Sequence, residues 1–276
     1  MVMGVLNVTP DSFSDGGRYF DTASAAERGH VMADEGADVV DVGGASSRPG
    51  AAPVAGPEEL RRVVPVVEAL AASVRVSVDT TTPEVARAAV AAGATILNDI
   101  SGTLWPLAAE LGVGWVGMHM RGTPATMDGL AVYDDVVAAV RDHLLRLAAS
   151  AAEAGVPDVW VDPGIGFAKR ADHNLALLGA VGELVAASAA LGARVLVGTS
   201  RKRFLGGLTP VGDQPAPVSD RLEASLATAV WCMQAGVGMV RVHDVAESVR
   251  AARLVGPWTP GRVEVPAGRG ERTEVA

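Results

Sequence analysis

Only one cysteine, Cys232, occurs in the 276 residues, so no internal disulfide framework supports this chain. It lies in the apolar, alanine-rich segment 226–233, a setting for a buried structural thiol rather than a nucleophile. Aromatic residues are scarce at 4%, and the five tryptophans are scattered, which suits packing better than a stacking platform. No apolar run approaches the ~18–20 residues a membrane-spanning helix needs. A secretory leader is not expected either, because a strand-like run begins within a few residues of Met1. The expectation is a soluble, cytoplasmic protein without a membrane partner. Basic residues are outnumbered, 23 against 32 acidic ones for a net charge of −9, which argues against a nucleic-acid partner. The GxGxxG and P-loop patterns are both missing, and with them the usual dinucleotide and nucleotide folds.

In their place stands a repeated unit. A β-branched apolar run stops on a polar residue, and a helical stretch leads to the next run. Val5-Leu6-Asn7 comes first and opens into a loop, 7–17, dense in hydroxyls, carboxylates and glycines. Runs ending at Asp41, Asp79, Asn98-Asp99, His119, Asp162, Ser200 and His243 follow. Eight strands alternating with helices in roughly 250 residues describe an α/β fold, the (β/α)8 TIM barrel. Crossover helices require parallel strands, so all the carboxyl ends share one face. Asn7, Asp79, Asn98, Asp162, Ser200 and His243 then converge on one mouth. A doubly wound sheet competes, but the repeat count and the missing fingerprint favour the barrel. A single barrel domain is expected over 1–256, and a disordered tail over 257–276, where Pro, Gly and charge replace periodic apolar residues. Helices are expected at 23–36, 58–72, 83–93, 105–111, 133–154, 174–191 and 220–235, with a last one near Val255. Thr82 reads as a helix cap, Arg61 and Arg62 as solvent-facing, and 209–217 as a mobile excursion.

Asp79, Asn98 and Asp162 place two carboxylates and an amide at neighbouring strand ends. Such a set holds either a metal or a flat heterocycle whose adjacent N–H donors match a carboxylate; alternatively each Asp simply caps the following helix. His119 and His243 stand on non-adjacent strands, which makes a zinc site weak. Ser200-Arg201-Lys202-Arg203 puts three cations at a helix start, where backbone N–H groups favour an anion. Arg241 and His243 point to the same side of a strand, and with Arg48 they offer a phosphate pocket. A salt-bridged rim is the plainer reading of the basic run, but Arg241 inside a strand needs a partner. His30, His143 and His173 read as surface residues. The residues alone suggest a barrel enzyme that binds a polar planar heterocycle beside a phosphate.

Taken together, the loop 7–17, Gly43–Gly50, Asp162–Lys169, Gly198–Phe204 and Arg241–Asp244 resemble the dihydropteroate synthase family, from Met3 to about Val255. The resemblance implies joining 6-hydroxymethyl-7,8-dihydropterin diphosphate to p-aminobenzoate, with release of pyrophosphate. It implies that Asp79, Asn98, Asp162 and Lys202 hold the pterin, with Met118, Phe167 and Gly198 around its ring. Asn7, Arg48, Arg241 and His243 take the pyrophosphate and its Mg2+, with Asn7 on the metal. Thr9, Phe13, Ser47, Pro49 and Arg203 belong to the aminobenzoate pocket, and Asp15 lies near the amine. The family resemblance makes Asp162, Lys202, Arg241, His243 and Asp15 the catalytic set. It further implies a homodimer through the outer helices and a target for sulfonamides. Ala45 stands where the family usually has Glu, Ser47 where it has Thr, and the loop 102–106 is shorter. A non-catalytic pterin-binding paralogue, or a pterin-dependent methyltransferase with a corrinoid partner, is the alternative.

Overall fold

The computed structural model describes residues 1–9, 22–46, 50–51, 54–255, 258–259 and 262–263. The apolar runs are parallel strands: β1 (Val2–Asn7), β2 (Val39–Gly43), β3 (Arg75–Asp79), β4 (Ile96–Asp99), β5 (Gly114–Met118), β6 (Val159–Asp162), β7 (Arg194–Val197) and β8 (Met239–Val242). Each pairs with the next in sequence, and β8 pairs back to β1, closing the barrel. That closure rules out the doubly wound sheet. The intervening helices are α1 (Thr22–Asp34), α2 (Gly56–Leu70), α3 (Pro83–Ala91), α4 (Trp105–Leu111), α5 (Val136–Glu153), α6 (Ala171–Gly179), α7 (Val181–Ala189), α8 (Arg203–Leu208), α9 (Leu222–Gln234) and α10 (Val245–Val255). None of the helices among the described residues is long and apolar enough to cross a membrane.

Side-chain alternation along the strands decides what lies inside. Met3, Val39, Ile96, Val116, Trp160, Leu196 and Met239 form the barrel interior, all fully buried. Residues of the other parity, among them Val40, Val78, Leu97 and Val161, pack outward against the helices. Two positions beyond the interior residues come Asp41, Asn98, Met118, Asp162, Gly198 and Arg241. The alternation that fills the core therefore also aims these residues, four of them polar, at the C-terminal mouth. Trp160 fills the opposite end. A side chain on Gly238 would meet its indole at 2.9 Å, and the Arg194 guanidinium lies 3.9 Å from the ring. Asp158, which binds both Arg75 and Arg194, closes that end.

Several local expectations are corrected. The single helix expected over 174–191 is two, α6 and α7, separated at Ala180 (φ −97°, ψ 7°). Arg62 is buried rather than solvent-facing: it bonds Glu58 and donates to the Gly44 carbonyl at 2.8 Å. Thr82 occupies the cap position of α3, but its hydroxyl donates to Glu59 at 3.2 Å instead. The excursion 209–217 is held, since Arg221 donates twice to the carbonyl of buried Ala216. The expected tail from 257 contains a two-residue strand pair at 258–259 and 262–263; its other residues lie outside those described.

Trp160→Ala should lower unfolding free energy by about 3–5 kcal/mol, as expected for emptying a large aromatic site. Urea denaturation measures this directly. A loss under about 1 kcal/mol would mean that the interior packs without Trp160.

Candidate functional site

At the mouth, a partly buried arginine is held by two carboxylates from different strands. Arg241 on β8 donates from Nε to Asp41 Oδ2 at 2.7 Å and from Nη2 to Asp79 Oδ2 at 2.9 Å. The same Asp41 oxygen accepts the Asn98 amide at 2.9 Å. Asp41 is fully buried on β2, and its single carboxylate therefore connects β2, β4 and β8. One Asn98 N–H is committed to Asp41, which orients the amide and leaves its carbonyl oxygen and its second N–H for a ligand. Burial opposes the charge on Arg241, but Asp41 and Asp79 more than offset it and hold the guanidinium above its ordinary value. Burial pushes the Asp79 carboxyl up to about 7, against the pull of Arg241 and with the push of Asp41.

Asp162 and Lys202 face each other across the next strands. Asp162 Oδ1 accepts the Gly164 amide at 2.7 Å. Burial raises its carboxyl while Lys202 and that amide draw it down. Burial likewise lowers Lys202, to about 8, with Asp162 resisting and Arg241 reinforcing the shift. Lys202 Nζ donates to the Ile165 carbonyl and lies 4.6 Å from the Phe167 ring centroid. Met118 pairs in register with Asp162. Gly198 leaves room beside Arg241, whose Cβ would be 3.5 Å from an added methyl. Asp79, Asn98, Asp162, Lys202, Arg241, Met118, Phe167 and Gly198 thus come together.

The rim is less uniform. Asn7 and Thr9 follow one another off β1, both half-buried. Ser200 Oγ accepts the His243 amide at 3.1 Å and lies 3.1 Å from its Nδ1. Of the basic run, Arg201 turns away into an ion pair with Asp244 and holds a left-handed backbone (φ 59°). Arg203 is exposed, with Asp128 3.7 Å away, and α8 has only six residues. Phe13, Asp15, Ser47, Arg48 and Pro49 lie outside the described residues. Ala45 is half-buried behind Gly44.

Sequence reasoning overlooked Asp41. Its signal was present, since it ends a β-branched run like the chosen residues. The histidine expectation is corrected too: His173 is buried, and the Tyr133 ring packs edge-on against it at 5.1 Å. His143 packs edge-on against His119 at 5.0 Å. Asp99 takes the helix-start role, accepting the Leu104 amide at 2.7 Å. Among the described residues no group of three or more His, Cys, Asp or Glu is arranged to hold a metal.

A closed barrel with a buried acceptor floor and flanking cations defines a pterin-binding enzyme, and the chain belongs to that family: the profile "Pterin binding enzyme" matches residues 3–243. Within it the chain belongs to the dihydropteroate synthases. It is 49% identical to the dihydropteroate synthase of Mycobacterium leprae over 93% of each chain. The Yersinia pestis dihydropteroate synthase, solved with a sulfonamide drug complex, superposes with a TM-score of 0.83 at 40% identity over 92% of each chain. The Xanthomonas albilineans enzyme in complex with 7,8-dihydropteroate gives 0.78 at 41% identity, over 92% of this chain and 91% of that one.

Asp41→Ala should cost about 3–5 kcal/mol of stability, because it leaves Arg241 short of a buried partner. Combining it with Arg241→Met should cost less than the sum of the single changes. Additivity within about 0.5 kcal/mol in denaturant unfolding would contradict the coupling.

Proposed function

We propose that the chain condenses 6-hydroxymethyl-7,8-dihydropterin diphosphate with p-aminobenzoate, giving 7,8-dihydropteroate and pyrophosphate. The amine nitrogen bonds to the pterin CH2, the bond from that carbon to the diphosphate oxygen breaks, and the amine loses a proton. The observation that supports this best is the set of acceptors, buried Asn98 and Asp162 with partly buried Asp79, beside Lys202 and Arg241. Pterin ring N–H groups are donors, so a carboxylate pairs with them through charge-assisted bonds. Asp162 and Lys202 lie on one side of the ring in this reading, with Met118, Phe167 and Gly198 around it. Leaving-group departure makes the CH2 carbon electron-poor, and the Asp162 carboxylate favours that charge. Arg241 and His243 stabilise the departing pyrophosphate, together with Arg48. The amine is already nucleophilic, so no strong base is needed; Asp15 lies near it, and Thr9, Phe13, Ser47, Pro49 and Arg203 shape the aminobenzoate pocket. That pocket is also the proposed sulfonamide target.

Enzymes of this family generally use a divalent metal ion for the diphosphate, and we take it as Mg2+. Asn7 at the end of β1 offers one neutral oxygen, which fits an ion that keeps its waters and takes its other ligands from phosphate. The ion, when bound, supplies positive charge to the leaving oxygens. A homodimer through the outer helices and a cytoplasmic setting belong to the same proposal.

Incubating the purified protein with both substrates and Mg2+ should release pyrophosphate and form dihydropteroate. Pterin binding without product would instead indicate a non-catalytic pterin-binding protein. Asp162→Asn should weaken pterin binding roughly ten- to 150-fold, the value of a bond to a charged group, about 1.5–3 kcal/mol. Unchanged affinity would remove Asp162 from the ring edge.

Pterin affinity should also be bell-shaped in pH. Asp79 must be ionised to accept, and its carboxyl is raised to about 7, so affinity climbs through that pH. Lys202 must be protonated to donate, and it is lowered to about 8, so affinity falls above that. Calorimetry across pH should show both limbs, with Asp79→Asn removing only the acid one. A profile that is flat from pH 6 to pH 9 would be the contrary result.

A further inference from the structure

Lys169 is a buried lysine that the proposed chemistry does not use; burial lowers its amine to about 7, with Asp162 resisting. Its Nζ contacts the Gly164 carbonyl at 3.0 Å, the Phe167 carbonyl at 3.0 Å, the His119 carbonyl at 3.3 Å and His119 Nδ1 at 3.0 Å. An ammonium has three protons, so all of its donors are taken up within this pocket. Two of the acceptors are the shoulders of the loop that follows β6. The other two belong to His119, the residue that follows β5.

That loop is unusually demanding. Gly164, Gly166 and Ala168 all take left-handed φ values of 64°, 81° and 48°, and Ala168 does so at a steric cost that glycine would not incur. Gly164 is pressed against the end of β5 and the residue after it, so closely that an added Cβ would sit 2.1 Å from the His119 carbonyl oxygen. Carbonyls crowded together in the protein interior need donors, and Lys169 supplies them. Asn174 holds the same loop from α6, accepting the Gly166 amide at 2.7 Å.

The loop also delivers three groups to the site. Its Gly164 amide orients the Asp162 carboxylate, its Ile165 carbonyl accepts Lys202, and its Phe167 ring lies under the Lys202 ammonium. We infer that Lys169, with His119 as its anchor, is a positioning residue that sets the Asp162, Lys202 and Phe167 side of the pterin cradle. The inference rests on the pterin reading above. Lys169 touches no reacting atom; its bonds run to the loop and to His119 just beyond β5. His119 stays neutral, because burial and the adjacent ammonium lower its imidazole to about 3. Its Nδ1 accepts from the lysine, which leaves the ring proton on Nε2.

The test compares the full-length protein with Lys169→Met, which keeps the stem and removes the donors. Hydrogen exchange over residues 162–169 should be slow in the unmodified protein and faster in the variant, while the strands remain protected. Calorimetric affinity for dihydropterin diphosphate should fall about tenfold or more, the value of lost bonds to a charged group. Affinity of the pterin-loaded variant for p-aminobenzoate should stay within about twofold, a split that general destabilisation would not produce. Lys169→Ala should regain pterin binding when ethylamine is added. If Lys169→Met fails to fold, His119→Asn, which drops the ring acceptor but keeps the carbonyl, should show a smaller loss in the same direction. Unchanged exchange at 162–169, pterin affinity within twofold, or equal losses for both ligands would overturn the inference. If the unmodified protein binds no pterin, the functional reading fails, and the exchange comparison alone decides the role of Lys169.

Discussion

A guanidinium inside a barrel strand has to be neutralised where it stands, and the mouth of this protein is arranged around that requirement. Arg241 lies between Asp41 and Asp79 at 2.7 and 2.9 Å, and Asp41 takes Asn98 with the same oxygen. Breaking such a set by removing one member leaves a buried charge uncompensated, so these residues depend on one another. The arrangement has a chemical result. With one N–H fixed on Asp41, the Asn98 amide is oriented so that its carbonyl oxygen joins Asp79 and Asp162 as an acceptor, while Lys202 and Arg241 keep the cradle close to electrical balance.

Two supports carry that cradle. On one side it is the strand register, which places Asp41, Asn98, Asp162 and Arg241 two positions beyond a fully buried apolar residue and Asp79 two beyond buried Ser77. On the other it is a loop with three left-handed residues, tied through Lys169 to His119 just beyond β5. Strands hold side chains more tightly than loops, so the loop side needs the extra cation.

The barrel was legible because the apolar runs, their polar ends and the helical intervals all recur at one spacing. Asp79, Asn98 and Asp162 could be picked out for the same reason. Asp41 was passed over, although it ends its run in the same way, because its importance lies in partners 57 and 200 residues distant. Local reasoning also misplaced Arg62 and His173. Both look solvent-facing on a helix, yet Arg62 reaches the Gly44 carbonyl and His173 packs against Tyr133. Arg201 reads as part of an anion site by composition, but its left-handed backbone sends it to Asp244. Loop residues such as Phe13 and Asp15 gain their proposed roles from family likeness rather than from periodicity.

The central claim is that a floor of acceptors, fixed by Asp41, reads the donor edge of a pterin. Calorimetric comparison of a pterin with its 2-desamino analogue tests it without altering the protein. Losing that donor should weaken binding about tenfold or more, since it leaves a buried carboxylate unpaired. Equal affinity for the two ligands would contradict the account.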